Sequence, residues 1–303
     1  MFGVNFNIAT MEKEFIKLIK STLNSDYIGD DCAYLKDLGI VVSQDSLVEG
    51  VHFLSNISPY YLGRKTAAVN LSDIAASGAE PLYMTVGLSV PKNINADFIK
   101  EFYNGLNSVY EGLKIVGGDL TCADKIYISA TIIGKTQGRN ISSRKNAHVG
   151  QKVVVSGFHG SSALGLKLIL QGKNEPQNLI KAHLDPAPQL EFSKAIALTQ
   201  KTPYAMTDTS DGLMDALSQI SEQSGVMLDI DFEKIPVEKE VKEFENWENY
   251  VMFGGEDYGL IATIDSPTPN MTVIGEVKSG NGVNIRGEIY TPEMVENSSY
   301  KHF

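Results

Sequence analysis

Positive charge is scarce in this chain, which carries 26 lysines and arginines against 37 aspartates and glutamates. The formal net charge of −11 at pH 7 repels polyanions. Nucleic acid and anionic membrane surfaces are therefore excluded as the main partners. If the ligand is itself an anion, metal ions must bridge it to the protein.

Cysteine is scarce as well, and the two cysteines, Cys32 and Cys122, show no metal-ligand spacing. We expect both to be free, partly buried thiols. Residues 1–10 lack the basic and apolar segments of a secretory signal, and no apolar run approaches the length that spans a bilayer. The expected compartment is the cytoplasm.

The length of the chain favours two domains, because 303 residues exceed the size of a typical single core. Predicted strands and helices are interspersed in both halves, which indicates an α/β or α+β fold. Residues 136–150 are polar and break every hydrophobic period, so we expect the domain boundary there. The predicted domains are residues 1–145 and 146–303.

One carboxylate, Asp73, lies in a stretch of small residues. The flanking positions 67–68 and 75–79 are all alanine, serine or glycine. Small side chains let a ligand or another backbone approach closely, so Asp73 can face a crowded site. The alternative is that Asp73 caps a short helical turn.

Further carboxylates follow apolar segments at glycine- or serine-flanked turns: Asp30 and Asp31, Asp45, Asp119, Asp208 and Asp211, and Glu256 and Asp257. Each alone is explained by turn chemistry, and Asp211 could cap the helix predicted from Leu213. Together they could not stay ionised without cations, because like charges raise one another's pKa. Oxygen ligands without histidine or cysteine suit Mg²⁺, which is commonly shared with phosphates. The pattern therefore favours Mg²⁺-dependent phosphoryl transfer.

Residues 157–162 are the best candidate for a phosphate-binding loop. They follow a predicted strand and precede a predicted helix, whose N-terminal N–H groups can face an anion. A tight connecting turn explains the same residues equally well.

Six segments occur in the order seen in the thiamine-monophosphate kinase family, which this sequence resembles over nearly its whole length. They are Gly29-Asp30-Asp31-Cys32-Ala33, residues 44–53 (QDSLVEGVHF), residues 70–81, Gly117-Gly118-Asp119, residues 208–213 and residues 254–258. That family is grouped with aminoimidazole ribonucleotide synthetase and selenophosphate synthetase. The resemblance implies a homodimer of two-domain chains, in which the N-terminal sheets pair and ATP lies in a cleft between the N-terminal sheet and the C-terminal α/β domain.

The resemblance also implies roles for individual residues. The implied metal ligands are all aspartates: Asp30, Asp45, Asp73, Asp119, Asp208 and Asp211. The implied ATP contacts are Tyr103, Gly118, Asp119, Arg144 and Ser210. The implied contacts to the phosphate acceptor are His52, Glu256 and Tyr300.

The function that we expect is ATP-dependent phosphorylation of thiamine monophosphate to thiamine diphosphate, with ATP as co-substrate and several Mg²⁺ ions. The acceptor is a phosphate oxygen that is already ionised at neutral pH, so no general base is expected. Catalysis would then consist of positioning and charge neutralisation. Two alternatives stay open: a sibling ATP-dependent synthetase or kinase, and a non-catalytic nucleotide or metal sensor.

Overall fold

The first part of the chain folds into a five-stranded mixed sheet and three helices. The computed structural model describes residues 11–298. The elements of this part are α1 (Met11–Leu23), β1 (Ala33–Leu35), β2 (Ile40–Val48), α2 (Pro59–Ser77), β3 (Glu80–Val90), α3 (Ala96–Asn107), β4 (Lys114–Cys122) and β5 (Tyr127–Lys135). The strand order is β1-β2-β5-β3-β4, in which β3 and β4 are parallel and the other neighbours are antiparallel.

The second part forms a seven-stranded mixed sheet. Its elements are β6 (Lys152–Val155), α4 (Ser161–Leu170), α5 (Gln177–Leu184), α6 (Leu190–Thr199), β7 (Ala205–Asp208), α7 (Leu213–Ser224), β8 (Met227–Ile230), α8 (Trp247–Phe253), β9 (Leu260–Ile264), β10 (Thr272–Lys278), β11 (Gly282–Ile285), β12 (Glu288–Tyr290) and α9 (Pro292–Ser298). The strand order is β12-β11-β8-β10-β6-β9-β7. Within residues 11–298, no helix is both long and apolar enough to cross a membrane. Two sheets with interspersed helices confirm the predicted fold class.

Helix α2 lies between the two sheets and is buried along almost its whole length. Ala67 and Leu71 belong to the core of the first sheet. Ala75 and Ala76 pack instead with Val154 and neighbouring residues of the second sheet. The small side chains around Asp73 therefore allow one helix to pack against both cores.

The same helix crosses α3 at very short range. A Cβ atom on Gly63 of α2 would lie 1.9 Å from the carbonyl oxygen of Phe102, and one on Gly105 of α3 would lie 1.9 Å from that of Tyr60. Neither position can accept a side chain without movement of the backbone. This close crossing fixes α2, and with it Asp73, relative to α3.

The structure corrects the predicted places of two carboxylates and excludes the alternative for a third. Asp45 lies inside β2, where pairing with β5 continues through Asp45 and Ala130. Asp119 lies inside β4 and pairs with Gly87 of β3. Asp73 lies inside α2 and not at a helix start, since that helix begins at Pro59. The prediction of a turn is wrong for Asp45 and Asp119, and the capping alternative is wrong for Asp73.

The remaining acidic positions lie at the ends of strands and helices. Asp208 is the last residue of β7, and Glu256 and Asp257 lie in the loop that precedes β9. The N-cap of α7 is Gly212 and not Asp211, so Asp211 does not occupy the capping position that the alternative gave it.

Candidate active site

Three carboxylates from separate parts of the chain meet where the two sheets face each other across α2. Asp31 lies in the turn before β1, Asp73 on α2 and Asp208 at the end of β7. One ligand oxygen from each lies within 4.8 Å of those of the other two. We call these three residues the acidic triad.

Hydroxyl groups orient the acidic triad. Ser43 Oγ donates a 2.5 Å hydrogen bond to Asp73 Oδ2, and Ser72 Oγ donates one of 2.6 Å to Asp208 Oδ2. The hydroxyl of Thr207 donates a 2.9 Å bond to Asp31 Oδ1. Each carboxylate has further lone pairs, so the hydroxyl groups orient the three carboxylates and leave other acceptor positions on their oxygens available.

The electrostatics of the acidic triad favour a bound cation. Burial, followed by the charges of Asp45, Asp208 and Asp31, raises the pKa of Asp73 well above its ordinary value. Burial and the charge of Asp31 raise the pKa of Asp208 to about 7. A divalent cation would reverse these shifts, because it favours the ionised carboxylates. Because all of its ligand atoms are oxygens, the triad fits Mg²⁺.

Arg144 partly neutralises the acidic triad from one side. Its Nη2 lies 2.8 Å from Asp31 Oδ1, and its Nε donates a 3.1 Å hydrogen bond to Thr207 Oγ1. Burial lowers the pKa of Arg144, but the charge of Asp31 and the hydrogen bond to it outweigh burial and raise the pKa above its ordinary value. The guanidinium therefore stays charged beside the carboxylates.

Asp30 and Asp31 have different partners although they are adjacent in sequence. Asp30 accepts hydrogen bonds from Ser143 Oγ at 2.7 Å and from the backbone N–H of Arg144 at 2.8 Å. It thus anchors the segment that joins the two sheets. The sequence selects Asp30 as the metal ligand, whereas the structure brings Asp31 into the acidic triad.

A cavity of about 840 Å³ opens beside the acidic triad. Its polar wall includes many of the predicted site residues: Asp45, His52, Asp73, Ser210, Asp211 and Glu256. Its apolar wall comprises Leu47, Val51, Leu166, Tyr250 and Phe253. One cavity is therefore lined both by carboxylates and by aromatic and aliphatic side chains.

Four predicted ATP contacts do not line this cavity in the described part of the chain: Tyr103, Gly118, Asp119 and Arg144. Gly118 and Asp119 lie on β4, the edge strand of the first sheet, and Tyr103 lies half-buried on α3. Tyr300, predicted to contact the acceptor, lies outside the described residues.

Glu256, in the loop of residues 254–259, contacts two groups that the sequence prediction missed, Lys65 and His183. Glu256 Oε1 lies 3.1 Å from Lys65 Nζ, and Glu256 Oε2 lies 3.2 Å from His183 Nδ1. Lys65 is 191 residues distant in sequence, so no local signal could have paired it with Glu256.

The neighbouring Asp257 occupies the N-terminus of α4. It accepts hydrogen bonds from the backbone N–H groups of Gly160 at 2.6 Å and Ser162 at 2.8 Å. These are N–H groups that the phosphate-loop hypothesis assigned to an anionic ligand, so a side chain of the protein takes that place. The structure favours the alternative, a connecting turn, for residues 157–162.

The comparisons with known proteins cover both sheets. The model of the AIR synthase related protein, N-terminal domain, matches residues 29–136, and that of the C-terminal domain matches residues 148–288. The thiamine-monophosphate kinase of Aquifex aeolicus is 36% identical over 305 residues, which cover 95% of this chain and 96% of that protein. The enzyme of the same name from Bacillus subtilis is 35% identical over 254 residues, which cover 79% of this chain and 77% of that protein.

A solved structure agrees with these sequence relatives. The structure described as AaThiL complexed with AMPPCP and TMP superimposes with a TM-score of 0.88 at 34% identity. The match covers 96% of this chain and 97% of that one.

Proposed function

This chain belongs to the AIR synthase related family and, within it, to the thiamine-monophosphate kinases, and we propose that it phosphorylates thiamine monophosphate with ATP to give thiamine diphosphate. The observation that carries the proposal is the cavity in which the Asp73 carboxylate and a wall containing Tyr250 and Phe253 face the same space. Carboxylates suit metal-bound phosphates, and an aromatic wall suits the flat rings of the acceptor.

The reaction needs positioning and charge neutralisation more than proton transfer. The acceptor oxygen belongs to a phosphate that is ionised at neutral pH, so no side chain has to remove a proton from it. Asp31, Asp73 and Asp208 would hold Mg²⁺, which when bound supplies the positive charge that offsets the polyphosphate. Arg144 contributes a fixed positive charge at the same side of the site.

Several assignments remain predictions from the family resemblance. The further metal ligands are Asp30, Asp45, Asp119 and Asp211, and the ATP contacts are Tyr103, Gly118, Asp119, Arg144 and Ser210. His52, Glu256 and Tyr300 are the predicted contacts to the acceptor. The domain division after residue 145 and a cytoplasmic location are also predictions.

We also infer that two copies pair through β4. This strand has β3 as its neighbour on one side, and on the other it is the edge of the first sheet. Val116 and Leu120 on this strand are 58% and 61% exposed, which is unusual for large apolar residues on an unpaired edge. Pairing there would place Gly118 and Asp119 at the subunit interface.

The test of the function is a chromatographic assay with ATP, Mg²⁺ and thiamine monophosphate. We expect thiamine diphosphate and ADP in equal amounts, and no product when Mg²⁺ is chelated. Unphosphorylated thiamine is the matched control acceptor and should give no product, because it lacks the accepting phosphate oxygen. Binding of both ligands without turnover would favour the sensor alternative and overturn the proposal.

A further inference from the structure

A single buried ammonium group joins the two described residues that the family resemblance assigns to the acceptor. The side chain of Lys65, on α2, is only 1% exposed. Its Nζ donates to the carbonyl oxygen of His52 at 3.0 Å and lies 3.1 and 3.2 Å from the two carboxylate oxygens of Glu256. His52 belongs to the turn after β2, whereas Glu256 belongs to the loop before β9, so this contact crosses between the two sheets.

We propose that Lys65 is a positioning residue that sets the separation and orientation of His52 and Glu256 and thereby controls affinity for the acceptor. This inference rests on the proposed function. Lys65 itself is absent from the residues of the described chain that line the cavity, whereas His52 and Glu256 both line it. Its influence on a ligand must therefore pass through those two residues.

The charge of Lys65 is matched by its partners. An ammonium group has three donors and is costly to bury unless all of them are used. His52 O and the two oxygens of Glu256 supply three acceptors. His183 Nδ1 is also 3.2 Å from Glu256, but burial and the charge of Lys65 lower the pKa of His183 to about 4. Near neutral pH, Lys65 and not His183 therefore supplies the positive charge beside Glu256.

The backbone of Glu256 needs such support. Its φ of 64° lies in the left-handed region, which is strained for a non-glycine residue and persists only where surrounding contacts impose it. The backbone N–H of Glu256 donates to Ser210 O at 2.6 Å, and the next residue, Asp257, is tied to the N-terminus of α4. With the backbone held on one side and the carboxylate held by Lys65 on the other, Glu256 has little freedom to turn.

The backbone of the His52 turn is held in the same way. His52 Nδ1 accepts a 3.0 Å hydrogen bond from the backbone N–H of Val48, which fixes the ring in the tautomer that carries its proton on Nε2. Lys65 holds the carbonyl oxygen of the same residue. Loss of the ammonium would remove one restraint from the turn of His52 and one from the carboxylate of Glu256.

The experiment compares Lys65→Met and Lys65→Arg with the wild-type protein in steady-state kinetics, each substrate being varied in turn. Lys65→Met keeps the length of the side chain and removes the charge. We expect the KM for thiamine monophosphate to rise about tenfold or more, the range for loss of a charged hydrogen bond, while the KM for ATP changes less than about twofold. Lys65→Arg keeps the charge and should recover part of the lost affinity.

The matched control is Lys135→Met, which removes an ammonium that is paired with Glu80 at 3.0 Å on the first sheet. Both Michaelis constants of this variant should stay at the wild-type values.

If Lys65→Met raises both constants together, or neither, the inference is wrong. Should Lys65→Met fail to fold, the same comparison of the two constants in Lys65→Arg decides. A wild-type protein that makes no thiamine diphosphate would overturn the proposed function instead, and calorimetric titration of thiamine monophosphate into wild type and Lys65→Arg would then test the inference by itself.

Discussion

Ser72 and Asp208 are joined by a 2.6 Å hydrogen bond that crosses between the two sheets, from α2 to the end of β7. Asp208 is thus oriented by a residue next to Asp73, its neighbour in the acidic triad. The triad takes Asp31 and Asp73 from one part of the chain and Asp208 from the other, so it exists only when the two sheets are assembled around α2.

The first prediction is that removal of the Ser72 hydroxyl weakens the metal site. In Ser72→Ala, the Asp208 carboxylate loses its orienting donor, and loss of such outer contacts commonly costs about 10- to 100-fold in metal affinity. The Mg²⁺ concentration for half-maximal activity should rise by that factor, as measured by titration of Mg²⁺ at saturating substrates. The control is Thr66→Val, which removes a buried hydroxyl that bonds to Leu62 O within the same helix. Equal Mg²⁺ requirements in the two variants would contradict the prediction.

The second prediction is that ATP binding depends on Mg²⁺. The carboxylates of the site repel a polyphosphate unless cations lie between them. Calorimetric titration should show the affinity for ATP falling more than about tenfold when Mg²⁺ is chelated, and recovering when it is restored. Tight binding of ATP without metal would contradict the claim that these carboxylates repel ATP unless Mg²⁺ lies between them.

The third prediction concerns stability and pH through His159. Burial lowers the pKa of this histidine from its ordinary 6.5 to about 4. Between these values the unfolded chain binds more protons than the folded one, so the free energy of unfolding falls as pH is lowered from about 6.5 towards 4. His159→Gln removes one titrating group and should make this fall shallower by up to about 1.4 kcal/mol per pH unit.

Chemical denaturation at a series of pH values measures the difference. The buried carboxylates, such as Asp208 and Asp257, are the same in both proteins, so their contributions cancel in the comparison. Above about pH 8 the curves of wild type and His159→Gln should run parallel, because the histidine is then almost fully neutral in both folded and unfolded states. Parallel curves below pH 6 as well would show that His159 does not resist protonation.

Local sequence signals predicted much of the fold. The apolar residues of α1, Met11–Leu23, repeat with the helical period, so the sequence alone indicates this helix. The small residues around Asp73 indicated a close approach, which the structure shows as the packing of α2 between two cores.

Other features depend on tertiary contacts and could not be read from the sequence. Asp30 and Asp31 have equivalent local sequence, and only the turn before β1 decides which one joins the acidic triad. The extension of β2 through Asp45 depends on pairing with β5, nearly ninety positions later in the chain (residue 45 with residue 130). The contact of Lys65 with Glu256 has the same origin, because it forms only after the two sheets meet.

The most direct measurement is the turnover of Asp73→Asn at saturating Mg²⁺, beside its thermal unfolding. Asparagine keeps the shape of Asp73 but removes the charge that faces Asp31 and Asp208. We expect kcat to fall about 100-fold or more, while the melting temperature in the absence of metal stays level or rises because repulsion in the acidic triad is relieved. Near-normal turnover with a lowered melting temperature would show that Asp73 is a structural residue, and would contradict the assignment of the acidic triad to phosphoryl transfer.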